Sequence, residues 1–216
     1  MAFEGPYPIP TEPATTFNFS TIAEGTGVVT FYAASMDQAS ASYVLTQSQI
    51  FSNAVYSSGA AIGSSAGDSL DIDFDLTKFN KARNLRGTAI ATIPWAYELT
   101  PSGDASYAIH VFLQKVDKNS NVETIASGAC VQRIQSGAGT KLNLSTIKIP
   151  IPTIKRFRKG DTLRARILGR IGGSSGTSRM SIAHDPKNRT EDGYTSGTAI
   201  ETTTLSIDVP LDVETG

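Results

Sequence analysis

An all-β protein, two antiparallel sheets packed as a jelly-roll-like sandwich, is the fold that three features of this 216-residue chain predict. Short stretches of alternating apolar and polar residues recur along it, roughly nine to eleven in number, and none keeps the 3.6-residue period of a helix. Ser, Thr, Gly and Ala are abundant while Leu and Glu are scarce, a mix that favours strands and turns. No fixed repeat period is present, which argues against a propeller or a solenoid. The length suits one large β domain, or at most two small ones.

Residues 1–26 are read as an extended arm and residues 27–216 as the single sandwich. Pro6, Pro8, Pro10 and Pro13 exclude helix and internal sheet pairing from the arm. The interleaved Phe3, Tyr7, Phe17 and Phe19 are too apolar for a solvated tail. The arm is therefore expected to lie along its own domain or a neighbouring subunit, which makes Phe3, Tyr7 and Phe17 interface candidates; the alternative is a frayed terminus.

Residues 27–34 and 43–51 predict the first two strands, and 57–67 (SSGAAIGSSAG) a flexible loop of small residues. The cleanest alternation is in 68–76. Leu70, Ile72, Phe74 and Leu76 point one way and Asp71, Asp73 and Asp75 the other, a half-buried strand with an acidic outer face. A short helical turn is expected in the polar stretch 77–86, and a central strand over 87–95. Residues 107–116 are apolar on both faces and predict a strand covered on both sides. Residues 117–121 form a hairpin turn, and 122–134 return as a strand bulged at Gly128.

In 141–151 the apolar parity changes between Leu144 and Ile147, which predicts a bulge or bend near Ser145. Pro150 and Pro152 mark an edge strand or a strand leaving the sheet. A turn at 159–161 opens the next strand, where Leu163, Ala165, Ile167 and Ile171 face the core and Arg164, Arg166 and Arg170 face out. A glycine and serine hairpin loop, 172–176, leads to a strand over 179–183. A long polar loop, 185–199, precedes a last strand built on Leu205, Ile207, Val209, Leu211 and Val213.

The net charge is only −1, yet it is unevenly spread. Residues 133–189 carry 13 Lys or Arg against two acids, while the rest of the chain is net −12. Such segregation predicts complementary surfaces that meet, either on adjacent strands or between subunits. The pairing candidates are Arg164, Arg166 and Arg170 with Asp71, Asp73 and Asp75. Three carboxylates about 7 Å apart along one strand face do not converge on an ion, so no metal is expected. The basic residues lack any RRM, OB or helix-turn-helix frame, and no specific nucleic acid is expected as partner. No apolar run reaches the roughly 20 residues of a membrane helix. No basic region followed by an apolar core opens the chain, so a signal peptide is not expected.

Chemistry is hard to place. His110 and His184 are the only histidines, and Cys130 the only cysteine. No Gly-x-Ser-x-Gly turn, His-Glu-x-x-His helix or Walker loop is present. His184 and Asp185 can be drawn into a triad with one of many serines, but nothing selects the nucleophile. Both histidines are expected in core or loop positions, Cys130 as a buried apolar thiol, and no cofactor is implied.

The segment Phe157-Arg-Lys-Gly-Asp-Thr-Leu-Arg-Ala-Arg-Ile167, followed by His184-Asp-Pro-Lys-Asn-Arg189, resembles the jelly-roll accessory, decoration and vertex proteins of tailed-virus particles. It is also similar to β-sandwich modules attached to some hydrolases, which carry a like Lys-Gly-Asp-x-Leu strand. The first resemblance implies a non-enzymatic virion structural protein, assembled in the host cytoplasm. It would self-associate as a homo-oligomer and dock on a major capsid protein or vertex component. The alternative is a carbohydrate-binding sandwich, with Trp95, Tyr97, Tyr107 and Tyr194 to stack on a glycan.

Overall fold

The computed structural model describes residues 26–35, 42–50, 56–101, 103–185 and 203–212. Phe3, Tyr7 and Phe17 of the arm, and Tyr194 of the polar loop, lie outside the described residues. Twelve strands follow one another: β1 (Thr26–Ser35), β2 (Tyr43–Thr46), β3 (Tyr56–Ser58), β4 (Gly67–Asp75), β5 (Arg83–Thr100), β6 (Asp104–Val116), β7 (Val122–Ala129), β8 (Arg133–Ser136), β9 (Gly139–Phe157), β10 (Thr162–Ser174), β11 (Thr177–Ala183) and β12 (Ser206–Asp212). Among the described residues there is no helix.

The strands pair in the order β3-β11-β5-β12-β1-β2-β4-β10-β6-β7, with β8 added to β6 and β9 to β5. Pairing is antiparallel except for one parallel contact, Val44 with Asp75, between β2 and β4. That contact is the seam between two layers: β9, β5, β11, β3, β12 and β1 on one side, β4, β10, β6, β7 and β8 on the other. Across the opening opposite the seam, β7 packs against β9. The product is an all-β sandwich, as the alternation predicts.

One core fills the space between the layers. Phe31, Phe74, Trp95, Tyr107, Ile149, Ile167 and Ile207, from strands of both sheets, are all buried in it. The 18-residue β5 organises its layer because it pairs on both edges, with β9 along nearly its whole length and with β12 and then β11 opposite. Pro150 and Pro152 are tolerated because β9 pairs only with β5 among the described strands, leaving the other edge free of ladder bonds.

Several expectations are corrected. Residues 77–82 form no helical turn, because their backbone is engaged elsewhere: Phe79 N–H donates to Asp161 O and Gly160 N–H to Phe79 O. The Phe79 ring packs edge-on against Phe157 at 5.2 Å. The small-residue stretch after Ser57 is not a free loop either. Gly59 N–H donates to Met180 O, and Ile62 and Ser178 exchange backbone bonds, so it is laid along β11.

Residues 172–176 do not make a hairpin. β10 pairs with β4 and β6 while β11 pairs with β3 and β5, so the chain crosses between layers at this corner. Nor is β6 covered on both sides. Its odd-numbered face is core, but Ala108, His110 and Phe112 are half-buried, with the Arg166 guanidinium over the Phe112 ring at 5.8 Å to the centroid. A long cation shields an aromatic there without a third layer.

The parity change in β9 needs no bulge. Its register with β5 is unbroken from Gly139 to Ile151. The inward positions before Ile147 are polar, Asn143 and Ser145, and Ser145 Oγ accepts the Trp95 indole N–H at 2.9 Å. A buried indole requires that acceptor. Leu142 turns to the opposite face and packs with Tyr56 against Ala96 and Ala183.

The β7 irregularity falls at Ile125, where the register with β6 slips between Leu113 and Gln114. Gly128 has a different cause. A Cβ there would lie 2.5 Å from the Lys148 carbonyl oxygen and 2.8 Å from Ile147 Cγ2, so glycine lets β7 close on β9. Gly128→Ala is expected to cost about 1–3 kcal/mol through overpacking. An unchanged urea midpoint would contradict that close approach.

Candidate functional site

The charged candidates converge on the outer face of β4 and β10. Antiparallel register sets Arg164 opposite Asp75 and Arg166 opposite Asp73, and alternation turns all of these side chains away from the core. Arg164 clasps Asp75 with two bonds, Nε to Oδ1 at 2.6 Å and Nη2 to Oδ2 at 2.8 Å, and donates a third from Nη1 to Asp73 Oδ2 at 2.6 Å. Arg166 reaches diagonally to Asp71 with two bonds of 2.7 Å. Arg170 meets Asp68 instead, Nε to Oδ1 at 3.3 Å, because the register slips by one residue at Gly169. The segregated charge of the sequence is therefore matched on adjacent strands of one chain.

The electrostatics follow this geometry. The Arg166 hydrogen bonds hold the Asp71 carboxyl below its ordinary pKa, against the opposing cost of burial. Asp73 moves the other way: burial pushes it up, only partly offset by Arg164, and its Oδ1 has no hydrogen-bond partner among the described residues. Asp75 and Asp73 share the Arg164 guanidinium and Asp71 takes that of Arg166, so the carboxylates face cations rather than a common centre and the stripe holds strands together.

Arg164→Ala is expected to destabilise by about 1–2 kcal/mol, a figure reduced by the partial exposure of the cluster. The loss should shrink at about 1 M salt, where the Debye length is about 3 Å. A salt-independent loss would assign it to packing.

The aromatic candidates for sugar stacking sit in the wrong place. Trp95 and Tyr107 are fully buried and Tyr97 is nearly so, stacked on Tyr107 with centroids 4.4 Å apart. None of the three offers a face to solvent. Cys130 is half-buried and accepts the Ile109 N–H at 3.1 Å, in the break between β7 and β8.

A second polar constellation lies inside the sandwich. His184, just beyond β11, is fully buried, and its Nε2 is 2.8 Å from Ser57 Oγ on β3. Tyr43 Oη on β2 is 2.9 Å from the same Oγ. The rings of Tyr43, Phe74 and His184 meet edge to face at centroid distances of 5.2, 5.9 and 6.1 Å, making an apolar wall around the imidazole. Burial outweighs the Asp185 charge and pushes the imidazole down to about 4, so it is neutral at pH 7. Its Nδ1 has no hydrogen-bond partner among the described residues.

Such a neutral imidazole can accept a proton at Nε2, and a serine hydroxyl can supply one. The sequence shows His184 and Asp185 but not Ser57 or Tyr43, which are 127 and 141 positions away from His184 and are brought in only by pairing of β3 with β11 and β2 with β1.

No protein-family model matches this sequence, and no curated protein sequence does. Solved structures do match. A CocE/NonD family hydrolase from Staphylococcus aureus aligns over 86% of this chain and 37% of its own, with a TM-score of 0.50 at 12% identity. An α-amino acid ester hydrolase aligns over 85% and 36%, also with a TM-score of 0.50, at 8% identity. A structure of infectious bursal disease virus covers 87% of this chain at 9% identity, but with a TM-score of 0.33 it carries no argument.

These findings correct the expected role. A non-enzymatic virion structural protein is expected from the sequence, whereas structures that align with a TM-score of 0.50 are hydrolases. At such identities the likeness establishes the fold. The chain spans little more than a third of either hydrolase.

Proposed function

We propose that this chain is a hydrolase β-sandwich that works on ester or amide bonds. The observation carrying this reading is architectural: 86% of the chain superposes on part of a CocE/NonD family hydrolase, with a TM-score of 0.50. The 157–167 segment supports it, being similar to sandwich modules attached to hydrolases. In the fold this segment turns at Lys159 and Gly160, with Asp161 Oδ2 accepting the Arg158 N–H at 2.7 Å, and it enters the strand that carries Arg164 and Arg166. Nearly two thirds of each hydrolase has no counterpart in this chain, so the likeness assigns no catalytic residue here.

The test is a panel of p-nitrophenyl esters and aminoacyl p-nitroanilides offered to the purified full chain. Turnover above that of the heat-denatured chain is expected for at least one member. No turnover on any member would overturn the reading.

A further inference from the structure

We propose that Ser57 and His184 form a nucleophile–base pair that cleaves short-chain carboxylic esters. The proposal takes its reaction class from the hydrolase reading and its location from geometry alone.

Three observations carry it. First, the 2.8 Å separation of Ser57 Oγ and His184 Nε2 is the contact through which a base takes a hydroxyl proton. Second, the pair sits where one reactant is protected and the other reachable. His184 is fully buried, while Ser57 is half-buried on β3, which ends the sheet and pairs only with β11 among the described strands. Third, the Tyr43 hydroxyl, 2.9 Å from the same Oγ, places a hydrogen-bond group within reach of a carbonyl bonded to that oxygen. The burial-lowered basicity of His184 agrees with this role, since the imidazole is unprotonated across the neutral range.

In the forward step Ser57 Oγ bonds to the ester carbonyl carbon as its proton moves to Nε2. The carbon–oxygen bond to the alcohol breaks, and the departing alcohol takes the proton from Nε2. Water then attacks the acyl group on Oγ, with Nε2 accepting its proton and returning it to Oγ as the carboxylic acid leaves. Ester and water become acid and alcohol, and the pair is regenerated. Esters are favoured over amides because no carboxylate among the described residues hydrogen-bonds Nδ1 to hold a longer-lived imidazolium. Short acyl chains are favoured by the tight wall of Tyr43, Phe74 and His184 rings.

The test uses the full chain with a fluorophosphonate probe and with p-nitrophenyl acetate. A phosphonyl adduct is expected on the peptide containing Ser57, located by mass spectrometry and absent in Ser57→Ala. The wild-type rate of acetate release should fall about 100-fold or more in Ser57→Ala and in His184→Gln, each checked for native circular dichroism. Ser57→Cys, which keeps a nucleophile, should retain an acetylated intermediate on that residue.

In the wild type the rate should be level from about pH 5 upward, a profile that a structural hydrogen bond would not create; Asp185 and Tyr43 are the titratable neighbours to be tested by Asp185→Asn and Tyr43→Phe. Ester turnover that survives Ser57→Ala would overturn this assignment and leave the hydrolase reading standing. No adduct and no turnover would overturn both.

Discussion

Trp95→Ala is expected to destabilise the sandwich by about 3–5 kcal/mol, the largest effect of any single substitution considered. Trp95 is fully buried at the centre of β5, the strand that pairs with β9, β11 and β12. Its ring lies 5.1 Å from that of Tyr97, which stacks in turn on Tyr107 of the opposite layer, so its removal opens a cavity between the two sheets. The substitution also leaves Ser145 Oγ without the indole donor. Ser145→Ala separates the polar share: it strands the indole N–H and should cost about 1–3 kcal/mol. Urea midpoints measure both, and a Trp95→Ala midpoint within error of wild type would refute the buried position. The same experiment bears on sugar binding, since a surface aromatic would be removed at little cost.

Acidification from pH 6.5 to 4 is expected to remove about 3 kcal/mol through His184 alone. The native imidazole is pushed down to about 4 by burial, while in the unfolded chain it titrates near 6.5. At neutral pH both states are unprotonated and the group contributes nothing to the pH dependence. Below 6.5 the unfolded chain takes up a proton that the native protein resists, so stability falls until the native group titrates too. The groups facing it are Asp185 on its own segment, Tyr43 from β2 and Ser57 from β3, and the Asp185 charge opposes the shift.

Chemical denaturation at pH 7 and pH 4.5 measures the loss, and His184→Gln should flatten it. A wild-type profile as flat as the variant's would show that the imidazole is not buried in its neutral form. Asp71 acts in a lower window: its depressed carboxyl adds stability that is present above the ordinary pKa and is lost as pH falls through its native value. Asp73, shifted upward, works against it.

The outward Asp and Arg stripes were legible because strand alternation is a local property. A period of two fixes which side chains share a face whatever the strand's neighbours are. That Arg164 takes Asp75 and Asp73, while Arg170 takes Asp68, was not legible, since the one-residue slip at Gly169 arises only in the pairing of β10 with β4. The role expected from the tailed-virus resemblance failed for a related reason. A Gly-Asp turn entering an alternating strand is a local solution shared by many sandwiches, and it carries no information about what the finished surface does.

By itself, then, the sequence determined the fold class, the faces of β4, β10 and β12, and the turns at 117–121 and 159–161, all set by residues close together in the chain. Tertiary structure decided the rest. It turned Ser145 inward because an indole N–H waits there, and required a glycine at 128 because β9 passes within contact. It sent β11 to the layer opposite β10, and of the many serines it set Ser57 against His184. Each of these depends on which distant segment arrives as a neighbour, and that is fixed by the joint packing of two sheets around one core rather than by any run of residues.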